Sequence, residues 1–308
     1  MNNEIDTFVT TVAFVGLPNV GKSTLLNALV GTKIAPTTRK PQTTRRVIRG
    51  IKTVGNHQQI YFDTPGIVKR ATNLDQFMHD QIFQTLATVQ QVVAIVDAKN
   101  SLKKHIGFLH RVQQTLEKGK QNLILVINKI DTIKDKAQIL ELMSLYANEL
   151  DLSQIVPISA TTGDGLDRLF DEISRRASRG PFLFGQDLFT DASEKEIVAE
   201  LIREKAMLEL KEELPYKIAV TIEHFDESRR EDQEKPLISI DAVLHVERKS
   251  QKAIVIGKGG TTIRTIGIRA RQDLEHLLLC QVMLKLFVRV EPNWTSSAKA
   301  MKKLGFGP

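Results

Sequence analysis

The sequence predicts an α/β domain on a mostly parallel sheet with helices on both faces, followed by a smaller α+β domain. Three observations predict it. In residues 1–178, short apolar, β-branched runs alternate with longer stretches of helical period, and that alternation calls for crossover connections covering both faces of a sheet. Residues 179–193 (RGPFLFGQDLFTDAS) have Gly and Pro punctuation and no clean period, so they read as a linker. In residues 194–308 the order changes to helix, strand, strand, helix, helix, strand.

The elements follow in turn. Strands are expected at 10–16 (TTVAFVG), 59–63 (QIYFD), 91–98 (QVVAIVDA), 122–129 (NLILVINK) and 154–160 (QIVPISA), and helices at 22–31, 74–90, 102–118, 135–149 and 165–177. Near-continuous apolar strands such as ILVI (124–127) fit a sheet buried on both sides. Ser193, with Glu196 three residues on, starts a charged helix expected to reach about Leu214, where Pro215 closes it. Strands at 216–225 and 236–247, a glycine turn at 257–260, a helix over 261–279 and a strand over 281–291 complete the second domain.

At 308 residues the chain is long enough for two cores, and 42% hydrophobic and 26% charged residues are ordinary for a globular protein. The single cysteine, Cys280, excludes an internal disulfide; the start MNNEIDTF has no leader pattern, and no apolar run reaches the roughly 18 residues of a span. The expectation is a cytoplasmic protein. The net charge of +7 hides its distribution: residues 1–180 carry 23 basic and 16 acidic side chains, residues 181–247 carry 8 and 17, and residues 248–308 carry 12 and 3. No acid lies between Asp6 and Asp63, nor from Arg248 to Arg271, which points to polyanionic partners.

Gly16-Leu17-Pro18-Asn19-Val20-Gly21-Lys22-Ser23 is G-x4-G-K-S between a strand and a helix. Its glycines let backbone N–H groups wrap phosphates, Lys22 reaches the outer phosphates and the Ser23 hydroxyl suits Mg²⁺. Asp63-Thr64-Pro65-Gly66 ends the next strong strand, where a magnesium-linked Asp and a γ-phosphate-sensing Gly are wanted. Asn128-Lys129-Ile130-Asp131 ends another, and the Asp131 carboxylate matches the two N–H donors of guanine, a pair that adenine lacks. Ser159-Ala160 follows the last strand, placed to support the base. Four motifs in order at strand C-termini make this an α/β P-loop GTPase domain binding GTP and GDP.

Further on, Ile254-Val255-Ile256-Gly257-Lys258-Gly259-Gly260-Thr261-Thr262-Ile263 is the V-I-G-x-x-G-x-x-I pattern of a KH domain. Its tight loop lets backbone approach single-stranded RNA while the next helix points its N-terminus at phosphates. Lys252, Ile256, Gly257, Lys258, Gly259, Gly260, Ile263 and Arg264 are the candidate RNA contacts, with Arg248, Lys249, Arg269 and Arg271 around them. The element order resembles the type II KH topology. The expected domains are thus 1–178, GTP-binding; 179–193, linker; and 194–308, KH with a C-terminal tail.

The GTPase motifs resemble the class that includes the Era, Der and MnmE families. One P-loop followed by one KH domain, with Lys258–Arg271 (KGGTTIRTIGIRAR) and Asn293–Phe306 (NWTSSAKAMKKLGF), is similar to the Era family over nearly the whole chain; a Der-type chain would need a second P-loop. The resemblance implies a switch segment at Gln42, Thr43, Thr44 and Arg45, with Thr44 favoured over Thr43 to join Ser23 and Asp63 on Mg²⁺. It implies K⁺ held partly by Asn19. Ile67 stands where Ras-like GTPases carry a water-positioning Gln, so the catalytic group stays unassigned. The implied partners are small-subunit ribosomal RNA near its 3′ end and the 30S subunit, in a role in subunit maturation, with the chain acting as a monomer. Peripheral association with the inner membrane is also implied, although the sequence shows no lipidation motif or membrane helix. The rival class is a signalling GTPase at an anionic membrane surface. Cys280 reads as packing. Trp294 and Phe306 read as docking of the chain end.

Overall fold

The computed structural model describes residues 6–38, 40–66, 71–100, 102–117, 120–152 and 154–307. The chain forms two compact units: Met1–Ile34, Thr44–Lys69 and Met78–Asp191 make the first, and Ala35–Thr43, Arg70–Phe77 and Ala192–Pro308 the second.

In chain order the first run of elements is β1 (Phe8–Gly16), α1 (Lys22–Val30), β2 (Ile48–Val54), β3 (His57–Asp63), α2 (Asn73–Thr88), β4 (Gln91–Asp97), α3 (Leu102–Thr115), β5 (Asn122–Asn128), α4 (Ala137–Leu150), β6 (Ile155–Pro157), α5 (Leu166–Ser174) and β7 (Ser178–Arg179). The sheet order is β2-β3-β1-β4-β5-β6, with β7 antiparallel to β1. Only the β2–β3 pair along that path is antiparallel. The strands with near-continuous apolar runs, β1, β4 and β5, occupy the centre because they must be covered on both faces. On one face Ala13, Val15, Val92, Ala94, Val96, Leu125 and Ile127 pack under α2, α3 and α4, and α1 and α5 pack against β1 and β3.

Two features of this first unit depart from the sequence reading. Strand β2 lies inside the basic run and was not expected; it closes a hairpin with β3 through Gly55-Asn56. Residues 183–191 do not run free as a linker. Phe189 O accepts from Ile51 N (2.9 Å), Gln58 receives Leu183 N and Phe184 N (2.9 and 3.0 Å), and Arg49 pairs with Asp191 at 2.7 Å. The segment therefore adds hydrogen bonds along β2 and β3 and belongs to the first unit.

The second unit contains α6 (Glu194–Glu209), β8 (Ala219–Arg229), β9 (Leu237–Val246), α7 (Lys249–Ile256), α8 (Thr261–Leu278), β10 (Gln281–Val290) and α9 (Ala298–Lys303). Its sheet order is β10-β9-β8, parallel between β9 and β10 and antiparallel between β8 and β9. Apolar residues of α6, α7 and α8 close one core with one face of the sheet. Ser193 and Glu196 form the expected capping box. The helix stops at Glu209 rather than near Leu214, because Leu210 turns extended and Glu212 adopts φ 53°. Leu279 closes α8 in the left-handed region (φ 54°), a turn with no glycine to signal it in sequence. Trp294 is fully buried, donates Nε1–H to Lys217 O (2.9 Å) and stacks on Phe306 at 5.5 Å between centroids. Both aromatics thus dock the chain end.

Candidate functional site

The first constellation gathers at the C-terminal edge of the parallel strands, where α/β folds bind ligands. Gly16 ends β1 and Gly21 precedes α1 with φ 99°; a Cβ on Gly21 would fall 2.4 Å from Asn128 Nδ2, so glycine is required there. Lys22 is buried, and its Nζ donates to Gly16 O (3.2 Å) and Leu17 O (3.3 Å). Burial lowers the Lys22 pKa against the opposing pull of Asp63.

Ser23, Thr44 and Asp63 converge. Ser23 Oγ donates to Asp63 Oδ2 at 2.6 Å, Thr44 Oγ1 donates to the same oxygen at 3.1 Å, and the two hydroxyls lie 2.8 Å apart. Asp63 is fully buried, burial raises its pKa against Lys22, Ser23 and Thr44, and its Oδ1 has no hydrogen-bond partner among the described residues. Two hydroxyls and a buried carboxylate with a free oxygen form a hard, all-oxygen donor set, and that set fits Mg²⁺. Thr43 is turned elsewhere: its Oγ1 donates to Lys40 O (2.8 Å) and lies 2.9 Å from Thr38 Oγ1. Gln42 adopts φ 59° and Arg45 is fully buried. Thr64 Oγ1 ties the end of β3 to Phe14 O (2.7 Å), with Pro65 and Gly66 following. Ile67 lies outside the described residues.

The base-side motif is joined to this loop. Asn128 Nδ2 donates to Val20 O (2.8 Å), while its Oδ1 accepts from Lys129 N (2.8 Å) and Ala160 N (3.0 Å). Ser159 Oγ donates to Asp131 Oδ1 (2.6 Å), orienting that carboxylate beyond Ile130. Lys129 Nζ donates to Asn19 O and to Asp97 Oδ2, each at 2.7 Å. Asn19 has φ 65°, and its side chain is exposed. Asp97 is not singled out from sequence; its signal there is a carboxylate closing the apolar run Val92–Val96.

The second constellation lies in the second unit. Lys252 and Ile256 sit on α7, Gly257 (φ 77°) ends it, Lys258–Gly260 make one tight turn, and Ile263 and Arg264 sit on α8. A Cβ on Gly257 would meet Thr262 Oγ1 at 2.3 Å, which explains the glycine. Lys258 and Arg264 are exposed. Arg269 is paired with Glu209 and Arg271 lies 3.8 Å from Glu275, so those two cations are partly engaged within the unit. An open cleft of about 630 Å³ is lined by residues including Lys252, Arg289 and Phe287, the last 51% exposed on β10. Phe287 lies in the apolar run Leu286-Phe287-Val288, which reads in sequence as ordinary strand.

Residues 35–43 are built into this same unit. Thr37 N donates to Glu204 Oε2 (2.9 Å), Arg203 donates to Thr43 O, and Lys40 Nζ donates to the carbonyls of Met207 and Leu210 at the end of α6. A lysine on those carbonyls satisfies acceptors that the helix itself leaves open. Asn73 Nδ2 donates to Ser296 O (2.7 Å) and Phe77 meets Phe306 edge-on at 6.2 Å, so the start of α2 also packs into the second unit.

The family model for 50S ribosome-binding GTPases matches residues 11–129, and that for KH domains matches residues 213–295. GTPase Era of Syntrophus aciditrophicus is 40% identical over 96% of this chain and 94% of its own length. GTPase Era of Pseudomonas fluorescens is 41% identical over 96% of each chain. A variant of Aquifex aeolicus Era bound to GDP and AlF4⁻ superposes with a TM-score of 0.91, at 36% identity, covering 98% of this chain and all of that one. An Era complex with MgGDPNP and nucleotides 1506–1542 of 16S ribosomal RNA gives 0.88 at 35% identity, with the same coverage.

Proposed function

The chain is a member of the GTPase Era family, hydrolysing GTP to GDP and phosphate, and from that premise we propose a switch in which the bound nucleotide sets how the KH domain holds small-subunit ribosomal RNA near its 3′ end. Its work is the maturation of the 30S subunit in the cytoplasm. The complex of a family member with 16S ribosomal RNA supports the choice of RNA.

The P-loop backbone and Lys22 hold the phosphates, and Asp131, oriented by Ser159, accepts the guanine N–H groups. Ser23, Thr44 and Asp63 would hold Mg²⁺, which when bound neutralises charge on the outer phosphate oxygens. Asn19 is the candidate protein contact for K⁺. One observation carries the coupling: Thr44 stands beside Asp63 in the first unit, whereas its neighbour Thr43 belongs to the second. Whatever fixes Thr44 is therefore one peptide bond from a segment fastened to α6.

The test is the affinity for the 16S 3′-end fragment with a GTP analogue and with GDP, at fixed salt. Equal affinities exclude the coupling. The rival membrane reading draws only on the basic runs, and no helix among the described residues is long and apolar enough to cross a membrane. Lys258→Glu separates the readings: loss of RNA binding with unchanged adsorption to anionic vesicles supports the RNA switch.

A further inference from the structure

We propose that Asp97 is a positioning residue for the nucleotide: it locks Lys129 across the P-loop, so that base-side and phosphate-side segments form one preorganised cradle. The inference rests on guanine-nucleotide binding alone and is independent of the RNA reading.

Strands β4 and β5 are parallel, with Asp97 paired to Asn128, so Asp97 ends its strand beside the start of the base-side motif. Lys129 then takes a left-handed backbone (φ 67°, ψ 35°), an uncommon conformation for a residue with a side chain. Its ammonium makes two contacts of 2.7 Å, one to Asn19 O in the P-loop and one to Asp97 Oδ2.

Asp97 is itself held. Its Oδ1 accepts from Lys99 N at 3.0 Å, and its side chain is 14% exposed, so it is neither a mobile surface carboxylate nor free to follow Lys129 elsewhere. Burial would raise its pKa, but the Lys129 hydrogen bond and charge, with the Lys99 N–H, outweigh it and hold the carboxyl below its ordinary value. The Asp97 carboxyl is thus ionised at neutral pH, and charge-assisted contacts of this length are the strong kind.

The P-loop end of the bridge also needs support. Asn19 adopts φ 65°, and Val20 O is held by Asn128. Two successive P-loop carbonyls are therefore tied to two successive residues of the base-side motif. Asn128 is fixed by Ala160 and its own backbone neighbour. Among the described residues, Asp97 is the side chain that meets the Lys129 ammonium and directs its long, flexible stem toward Asn19 O. Without that carboxylate, ordering it again on binding costs rotamer entropy and loosens the loop around the phosphates.

The experiment measures dissociation of fluorescent GDP and a GTP analogue, with KM and kcat, for Asp97→Ala, Asp97→Asn, Lys129→Met and Asp97→Ala with Lys129→Met. Losing one hydrogen bond to a charged group predicts dissociation about 10- to 100-fold faster in Asp97→Ala. KM should rise at least about tenfold more than kcat falls. Asp97→Asn, which keeps an acceptor and the shape, should recover part of the loss. The double variant should be no worse than Lys129→Met alone, since the two act through one contact. The proposal is overturned if dissociation changes less than twofold, or if the two single losses multiply. A fall in thermal stability with unchanged dissociation also overturns it, by making the pair merely structural. If the parent chain bound no guanine nucleotide, the reading of the whole site would fail, not this one contact.

Discussion

Lys205 on α6 lies 2.6 Å from the Asp273 carboxylate on α8, and the adjoining Glu204 accepts from Thr37 N. Lys205 is also 3.2 Å from Glu204, so one partly buried ion cluster joins residues 35–43 to the helix that follows the glycine loop. If the proposed switch operates through residues 35–43, a cluster of this kind gives it a physical route to the glycine loop. Lys205→Met or Asp273→Asn should shrink the ratio of RNA affinities in the GTP-analogue and GDP states several-fold, towards one. Fluorescence anisotropy with the 16S 3′-end fragment measures that ratio. The double variant should match the single ones.

The orphaned Oδ1 of Asp63 predicts a metal dependence. Asp63→Asn should remove the response of nucleotide affinity to Mg²⁺, a loss of at least about 100-fold for a direct ligand. Titration of fluorescent GDP with and without Mg²⁺ shows whether the response survives.

Asn19 combines an exposed side chain with a left-handed backbone at the P-loop. A potassium role predicts that replacing K⁺ by Na⁺ lowers kcat about tenfold, and that Asn19→Ala abolishes the difference. Equal turnover in the two salts would remove K⁺ from the scheme.

His245 supplies a pH prediction. It is buried, its Nε2 lies 2.8 Å from Thr221 Oγ1 and its Nδ1 has no hydrogen-bond partner among the described residues. Burial, with Arg289 adding, pushes its pKa down to about 4, below the ordinary 6.5. The unfolded chain therefore takes up a proton as pH falls through 6.5 while the folded chain does not until about 4. Stability is full above 6.5 and lost across that window, by about 2 kcal/mol after allowing for solvent screening. Urea midpoints against pH should be flatter for His245→Gln than for the parent.

Lys258 is exposed in the glycine turn. Lys258→Ala should weaken binding alike across RNA sequences and reduce the slope of log affinity against log salt by about 1. A sequence-selective loss would instead mean that Lys258 reads a base.

The sequence by itself determined the two domains, the central strands and the positions of both loops. Glycine conformations, apolar periodicity and phosphate-binding spacing are local, and Gly16 to Ser23 or Gly257 to Gly260 carry them in a few adjacent residues. Strand β2 escaped because Arg49 and Lys52 read as part of a charged run, although Gly55-Asn56 marked the turn. The end of α6 escaped for another reason. Lys40, 167 residues upstream of Met207, supplies a cation to its terminal carbonyls, and no local pattern records that. Only the tertiary structure decided that Thr44 rather than Thr43 stands beside Ser23 and Asp63, that Asp97 holds Lys129, and that residues 35–43 belong with the KH unit. These depend on which side chains parallel-strand register and helix packing bring within hydrogen-bond distance, and those partners lie tens to hundreds of residues apart in the chain.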